Sequence, residues 1–167
     1  MRILLTILLV AGLAAKNENA TAQPATKDQQ GKDQLTKALI GEWFNRYVRI
    51  DIVGPAGEKK TMEADSTNWE QRLGIKPIHT FFQQDGSYYS EYRDLKDSLV
   101  RRTAGQWAVT AGDTLIMWEK QPEQETLKLK LKIENRTATF SGLIDFDGQG
   151  VANDAYYGIQ EKKATNL

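Results

Sequence analysis

The stretch Asp145-Phe146-Asp147-Gly148-Gln149-Gly150-Val151-Ala152-Asn153-Asp154 places oxygen-bearing side chains at alternating positions. Loops that wrap a hard cation use that spacing. Set on the calcium-loop pattern, Asp145, Asp147 and Gln149 take positions one, three and five, Gly150 takes the sharp-turn position, and Val151 offers a backbone carbonyl. Asp154, at the far end of the loop, completes the candidate metal set. Position twelve is Tyr156, which has no carboxylate to give, and position five carries an amide. Two readings stand. One is a weak calcium site, with a dissociation constant on the order of 0.1 to 1 mM as in extracellular modules. The other is a polar hairpin loop in which Asp and Gly serve turn geometry. Calcium is the one cofactor the residues suggest.

Other chemistry is narrowed by composition. His79 is the single histidine and there is no cysteine, so a multi-histidine metal centre and thiol catalysis are both excluded. A Ser-His-Asp arrangement would have to use His79, which lies in an aromatic run, and no Gly-x-Ser-x-Gly elbow occurs. Paired carboxylates leave no signature in spacing. The expectation is a protein that is not an enzyme. Charge is balanced, 22 Lys+Arg against 22 Asp+Glu, which points away from nucleic acid and from an anionic membrane. The row Lys128, Lys130, Lys132 reads as a solvated outer face.

An address precedes the domain. Met1-Arg2, an apolar run over Ile3–Leu13 and Ala20-Thr21-Ala22 have the order of a secretory signal peptide over 1–22, with the mature chain starting at Gln23. The apolar run is too short to span a bilayer. A soluble protein of the periplasm or extracellular space is expected, with no lipid-accepting cysteine, no disulfide and no stable membrane anchor. The sequence does not set an oligomeric state.

The elements that would position any site are mostly strands. Residues 23–38 hold a polar leader through Gly31 and most of a short helix expected over Lys32–Ile40. From Gly41 a strand places Phe44, Val48, Ile50 and Ile52 largely on one parity, against Asn45, Tyr47, Arg49 and Asp51. Glu58–Thr67 reads as a rim strand, and Trp69–Leu73 fits a short strand or a helical turn. Phe81-Phe82 and Tyr88-Tyr89 face each other across Asp85-Gly86, a strong hairpin signal. A two-residue turn would pair Phe82 with Tyr89, and a three-residue loop with Gly86 left-handed would pair Phe82 with Tyr88. Leu99–Thr110 is one strand bent at Gly105, and Thr114–Glu119 returns beside it. Leu127, Leu129, Leu131 and Ile133 alternate with the lysine row, giving a strand with one dry face. Thr137–Ile144 and Ala155–Lys162 follow. The fold class is all-β: an antiparallel up-and-down β-barrel of about 8–10 strands over 39–163, with a short N-terminal helix and a tail at 164–167.

Several motifs carry a resemblance. Gly41-x-Trp43 after a helical turn, Phe82-x-x-Asp85-Gly86-Ser87-Tyr88, Gly105-x-Trp107 and Gly112-Asp113-x-Leu115 together resemble small bacterial lipocalin-like domains exported from the cytoplasm. The last strand ends in Lys162-Lys163, where that family sets an arginine against its first tryptophan. The resemblance implies a calycin-type barrel and, in many members, an apolar ligand in the cup. The aromatic residues could line such a cup or fill it. Phe82, Tyr88, Tyr92 and Trp107 are the candidate ligand-binding residues, with Trp43 expected near the closed end and Trp107 nearer the mouth. The functional expectation is an exported carrier of a small apolar or amphipathic molecule. Its alternative is a filled barrel acting as a structural or interaction module, with or without the calcium loop.

Overall fold

The computed structural model describes residues 26–119 and 126–164; the signal-peptide reading lies outside them. Helix α1 covers Lys27–Leu39. Strands β1 (Gly41–Val53) and β2 (Lys59–Asp65) lead to a one-turn helix, α2 (Trp69–Leu73). Seven strands follow: β3 (His79–Phe82), β4 (Ser87–Arg93), β5 (Leu99–Thr110), β6 (Thr114–Glu119), β7 (Thr126–Glu134), β8 (Thr137–Ile144) and β9 (Asp154–Lys162).

Helix α1 starts earlier than the sequence suggested. The Thr26 hydroxyl accepts from the Gln29 amide at 3.3 Å, and Asp28 stands in the first turn where the helix dipole favours an acid. Lys27–Gly31, expected as a polar leader, are therefore helical. Their turn is largely solvent-facing, so it carries no apolar period to read.

Strands β3 to β9 pair in sequence order, all antiparallel, and β1 closes the ring by pairing with β9 on one side and β3 on the other. This is a closed eight-stranded barrel of up-and-down order, consistent with a calycin-like architecture. Strand β2 is additional to the ring. It pairs with the upper part of β1, from Tyr47 to Val53, beyond the point where β3 leaves it. Helix α2 and an isolated bridge from Ile75 to Asp94 connect that flap back to β4.

The two ends differ. The β3–β4, β5–β6 and β7–β8 turns share one end with α1, whose Leu35 and Leu39 pack with Trp43, Phe82, Tyr88, Trp107, Leu115, Leu131 and Phe140. This end is solid. The β1–β2, β4–β5 and β8–β9 connections lie at the other end, where a smaller cluster of Val48, Ile50, Ala64 and Trp69 covers one side.

Two local features set which side chains face inward. The β3–β4 hairpin takes the three-residue loop: Phe82 pairs with Tyr88, Gln83 accepts from the Gly86 amide at 3.1 Å, and Gly86 has φ +82°. Phe82 and Tyr88 are thus buried together, while Phe81 and Tyr89 stack on the outer face at 4.4 Å. On β1 the pairing with β9 slips between Asn45 and Tyr47, a bulge at Arg46. The bulge reverses the parity expected for the lower strand. Trp43 and Asn45 point in with Val48 and Ile50, and Phe44 turns out to stack on His79 at 5.9 Å.

Candidate functional site

Above the solid end, the barrel encloses a cavity of about 380 Å³. Its walls are mainly apolar, with Val48, Ile50, Leu129, Phe140 and Ile144 from the strands and Trp69 and Leu73 from α2. Space persists because small or polar side chains occupy the middle level of the barrel. Thr80 on β3 and Ser90 on β4 are opposite partners, buried, with hydroxyls 2.9 Å apart. Asn45 on β1 and Gln160 on β9 are likewise opposite partners and both line the cavity. Tyr156 lies along β9 over Gly158, where any side chain would collide with its hydroxyl. Burial, with a smaller contribution from Tyr92, pushes that hydroxyl up to about 12, so it stays protonated.

The four aromatic candidates separate into two pairs. Phe82 and Tyr92 line the cavity. Tyr88 and Trp107 do not; both are buried in the packed end. Trp107, expected nearer the mouth, is turned down by its own hydrogen bonds, its indole N–H donating to the Gln83 and Ser87 carbonyls of the β3–β4 turn at 3.2 and 3.0 Å. Burial first, then Glu119 and Tyr92, pushes the Tyr88 hydroxyl up to about 12. The polar middle level of Asn45, Thr80, Ser90 and Gln160 was not singled out from sequence. Gln160 had a weak signal, since it shares parity with Tyr156 and Gly158 on the last strand. Asn45 had none, because the bulge that turns it inward has no mark in the sequence.

At the open end, one carboxylate oxygen from each of Asp145, Asp147 and Asp154 falls within 4.8 Å of the others, so the loop does gather the candidate metal residues. Backbone amides of the chain already engage two of them. Asp145 accepts from the Gln149 and Gly150 amides at 2.9 and 2.7 Å. Asp154, with no exposed surface, accepts from Val53 at 2.8 Å with one oxygen and from Phe146 at 2.8 Å with the other. Gln149 turns its amide nitrogen toward the Asp147 carboxylate and the Val53 carbonyl, making it a donor here. The arrangement closes a turn and ties the β8–β9 loop to the end of β1. The three acids are also the residues that would hold a divalent cation.

His79 faces outward between Phe44 and Phe81, its Nδ1 2.6 Å from Glu42. Burial works to raise the Glu42 carboxyl, but contacts with His79 and Lys163 outweigh it and leave the pKa lowered. Among the described residues no serine or threonine hydroxyl is hydrogen-bonded to His79, so a nucleophile–base pair is not assembled there. At the solid end, the Lys162 ammonium lies over the Trp43 ring at 5.4 Å.

No protein-family model matches the chain, and no curated protein is significantly similar to it. Among the described residues no helix is long and apolar enough to cross a membrane.

Proposed function

We propose that this chain is an exported, non-enzymatic, lipocalin-like carrier that binds a small apolar or amphipathic molecule inside the barrel. The observation that carries the reading is the 380 Å³ cavity above a solid floor. Ligand pockets span about 300 to 1,000 Å³ and are mostly apolar with a few placed polar groups. A dry cavity of about 150 Å³ already takes benzene, so at equal filling this one suits a ligand of about fifteen heavy atoms. The signal-peptide pattern supports the address. Occupancy by an apolar ligand needs no charged partner, in keeping with balanced charge.

The test is uptake of an uncharged apolar fluorophore, N-phenyl-1-naphthylamine, by the purified protein at micromolar concentration. Filling the cavity from its wall with Met117→Trp should abolish uptake while leaving the circular dichroism spectrum unchanged. Uptake equal in wild type and in the filled variant, or absent from both, would remove the carrier reading and favour the interaction module. That alternative draws on Leu95, Leu99 and Val100, which are exposed together at the β4–β5 end of the barrel.

A further inference from the structure

The middle level of the cavity holds polar groups that the fold does not use. The Gln160 Oε1 is fully buried and has no hydrogen-bond partner among the described residues. Across the β1–β9 pairing, Asn45 is 6% exposed and lines the same cavity. The Trp69 indole N–H, of a residue on the cavity wall, is likewise buried without a partner among the described residues. Natural cores leave few such groups, since each gives up hydrogen bonds to water without replacement. Gln160, Asn45 and Trp69 all line the same cavity.

Among the described residues, no charged side chain lines the cavity at the same level. The one formally charged side chain bordering the cavity among the described residues is Arg101, exposed at the open end and stacked on Tyr92 at 5.4 Å. A carboxylate or ammonium placed at the depth of Asn45 and Gln160 would be a buried charge without a counter-ion, which proteins avoid. A neutral group with both a donor and an acceptor would meet the orphans without that penalty.

We propose that the ligand class is a neutral single-chain amphiphile, of fatty-amide type, bound polar end down. Its head group exchanges hydrogen bonds with Asn45 and Gln160, and its apolar chain fills the space between β1, β7, β8 and α2. This deepens the carrier reading and rests on it. A fatty acid held tail-down by Arg101 would leave the deep amides unpaired, so the two orientations predict opposite head-group preferences.

The experiment is displacement of bound N-phenyl-1-naphthylamine by dodecanamide and by dodecanoate at pH 8, for wild type and for the double variant Asn45→Leu, Gln160→Met. Dodecanamide should compete at least tenfold better than dodecanoate in wild type. The double variant should lose the preference, with dodecanamide and dodecanoate equally effective at displacing the fluorophore it binds. Its melting temperature without ligand should equal or exceed that of wild type, because apolar replacements of similar shape relieve unpaired polar groups. Three results overturn the proposal while leaving the carrier reading intact: dodecanoate competing as well as the amide, a preference that survives in the double variant, or a fall in its melting temperature that marks the amides as structural. Failure of wild type to take up the fluorophore at all overturns both.

Discussion

Asp154 shows how one residue can be placed by burial and still be charged. Backbone amides hold its pKa below the ordinary carboxylate value, that of Val53 foremost, while burial opposes them and the amides of Phe146 and Asp147 add to the lowering. The sign follows from linkage. A carboxyl whose folded pKa lies below its unfolded value of about 3.9 contributes stability above that value and loses it as pH falls through the folded pKa. Asp51 and Asp65 are lowered in the same direction, by Arg49 with Thr61 and by Thr67. Melting temperature should therefore drop between pH 5 and pH 3. Asp154→Asn should melt lower at pH 7, because an amide cannot accept from both Val53 and Phe146 with two oxygens, and its acid-induced drop should be smaller. Thermal melts across pH check this, and equal pH slopes for the two proteins would contradict it. If loop closure is the whole role of Asp145, Asp147 and Asp154, the wild-type curves in millimolar calcium and in chelator should coincide. A cation site would raise the calcium curve by mass action.

At the scale of elements, α1 is fixed to the barrel by its C-terminal carbonyls. The last carbonyls of a helix have no partner within it, and its dipole leaves negative charge there. The Trp43 indole N–H donates to the Leu39 carbonyl at 2.6 Å, and the Lys162 ammonium donates to Ala38 at 2.7 Å while lying over the Trp43 ring. Burial lowers the Lys162 pKa, whereas the ring face and the carbonyl both favour the charged form. First strand, last strand and helix thus meet at one lysine. Hydrogen bonds to charged groups contribute about 1.5 to 3 kcal/mol, so Lys162→Met should lower stability by about that amount. Lys162→Arg should retain most of it. Denaturant midpoints for the three proteins measure the difference, and a Met variant as stable as wild type would show that the helix docks through its apolar face alone.

For the whole molecule, what was readable from sequence follows from where the information lies. The β7 alternation is local and strong, because each leucine faces the core and each lysine faces water, and it appears in the structure unchanged. The Asp85-Gly86 turn was readable as a hairpin, but its register depended on one residue of loop length. The meeting of Asn45 with Gln160 was not readable at all, since it needs a bulge and the closure of a ring whose first and last strands are far apart in sequence. Closure also divides the barrel into a packed half under α1 and a half that surrounds the cavity. Local opening should follow that division, because regions with fewer buried apolar contacts open below the global unfolding free energy. Amide hydrogen exchange should be slowest in the lower parts of β1, β4 and β5, around Trp43, Tyr88 and Trp107. It should be faster in β2, α2 and the β4–β5 end, which flank the cavity mouth. A bound apolar molecule should slow exchange in that second set and leave the first nearly unchanged. Uniform protection across both halves would mean that the barrel opens only as a unit, and ligand entry would then have to use the mouth as it stands.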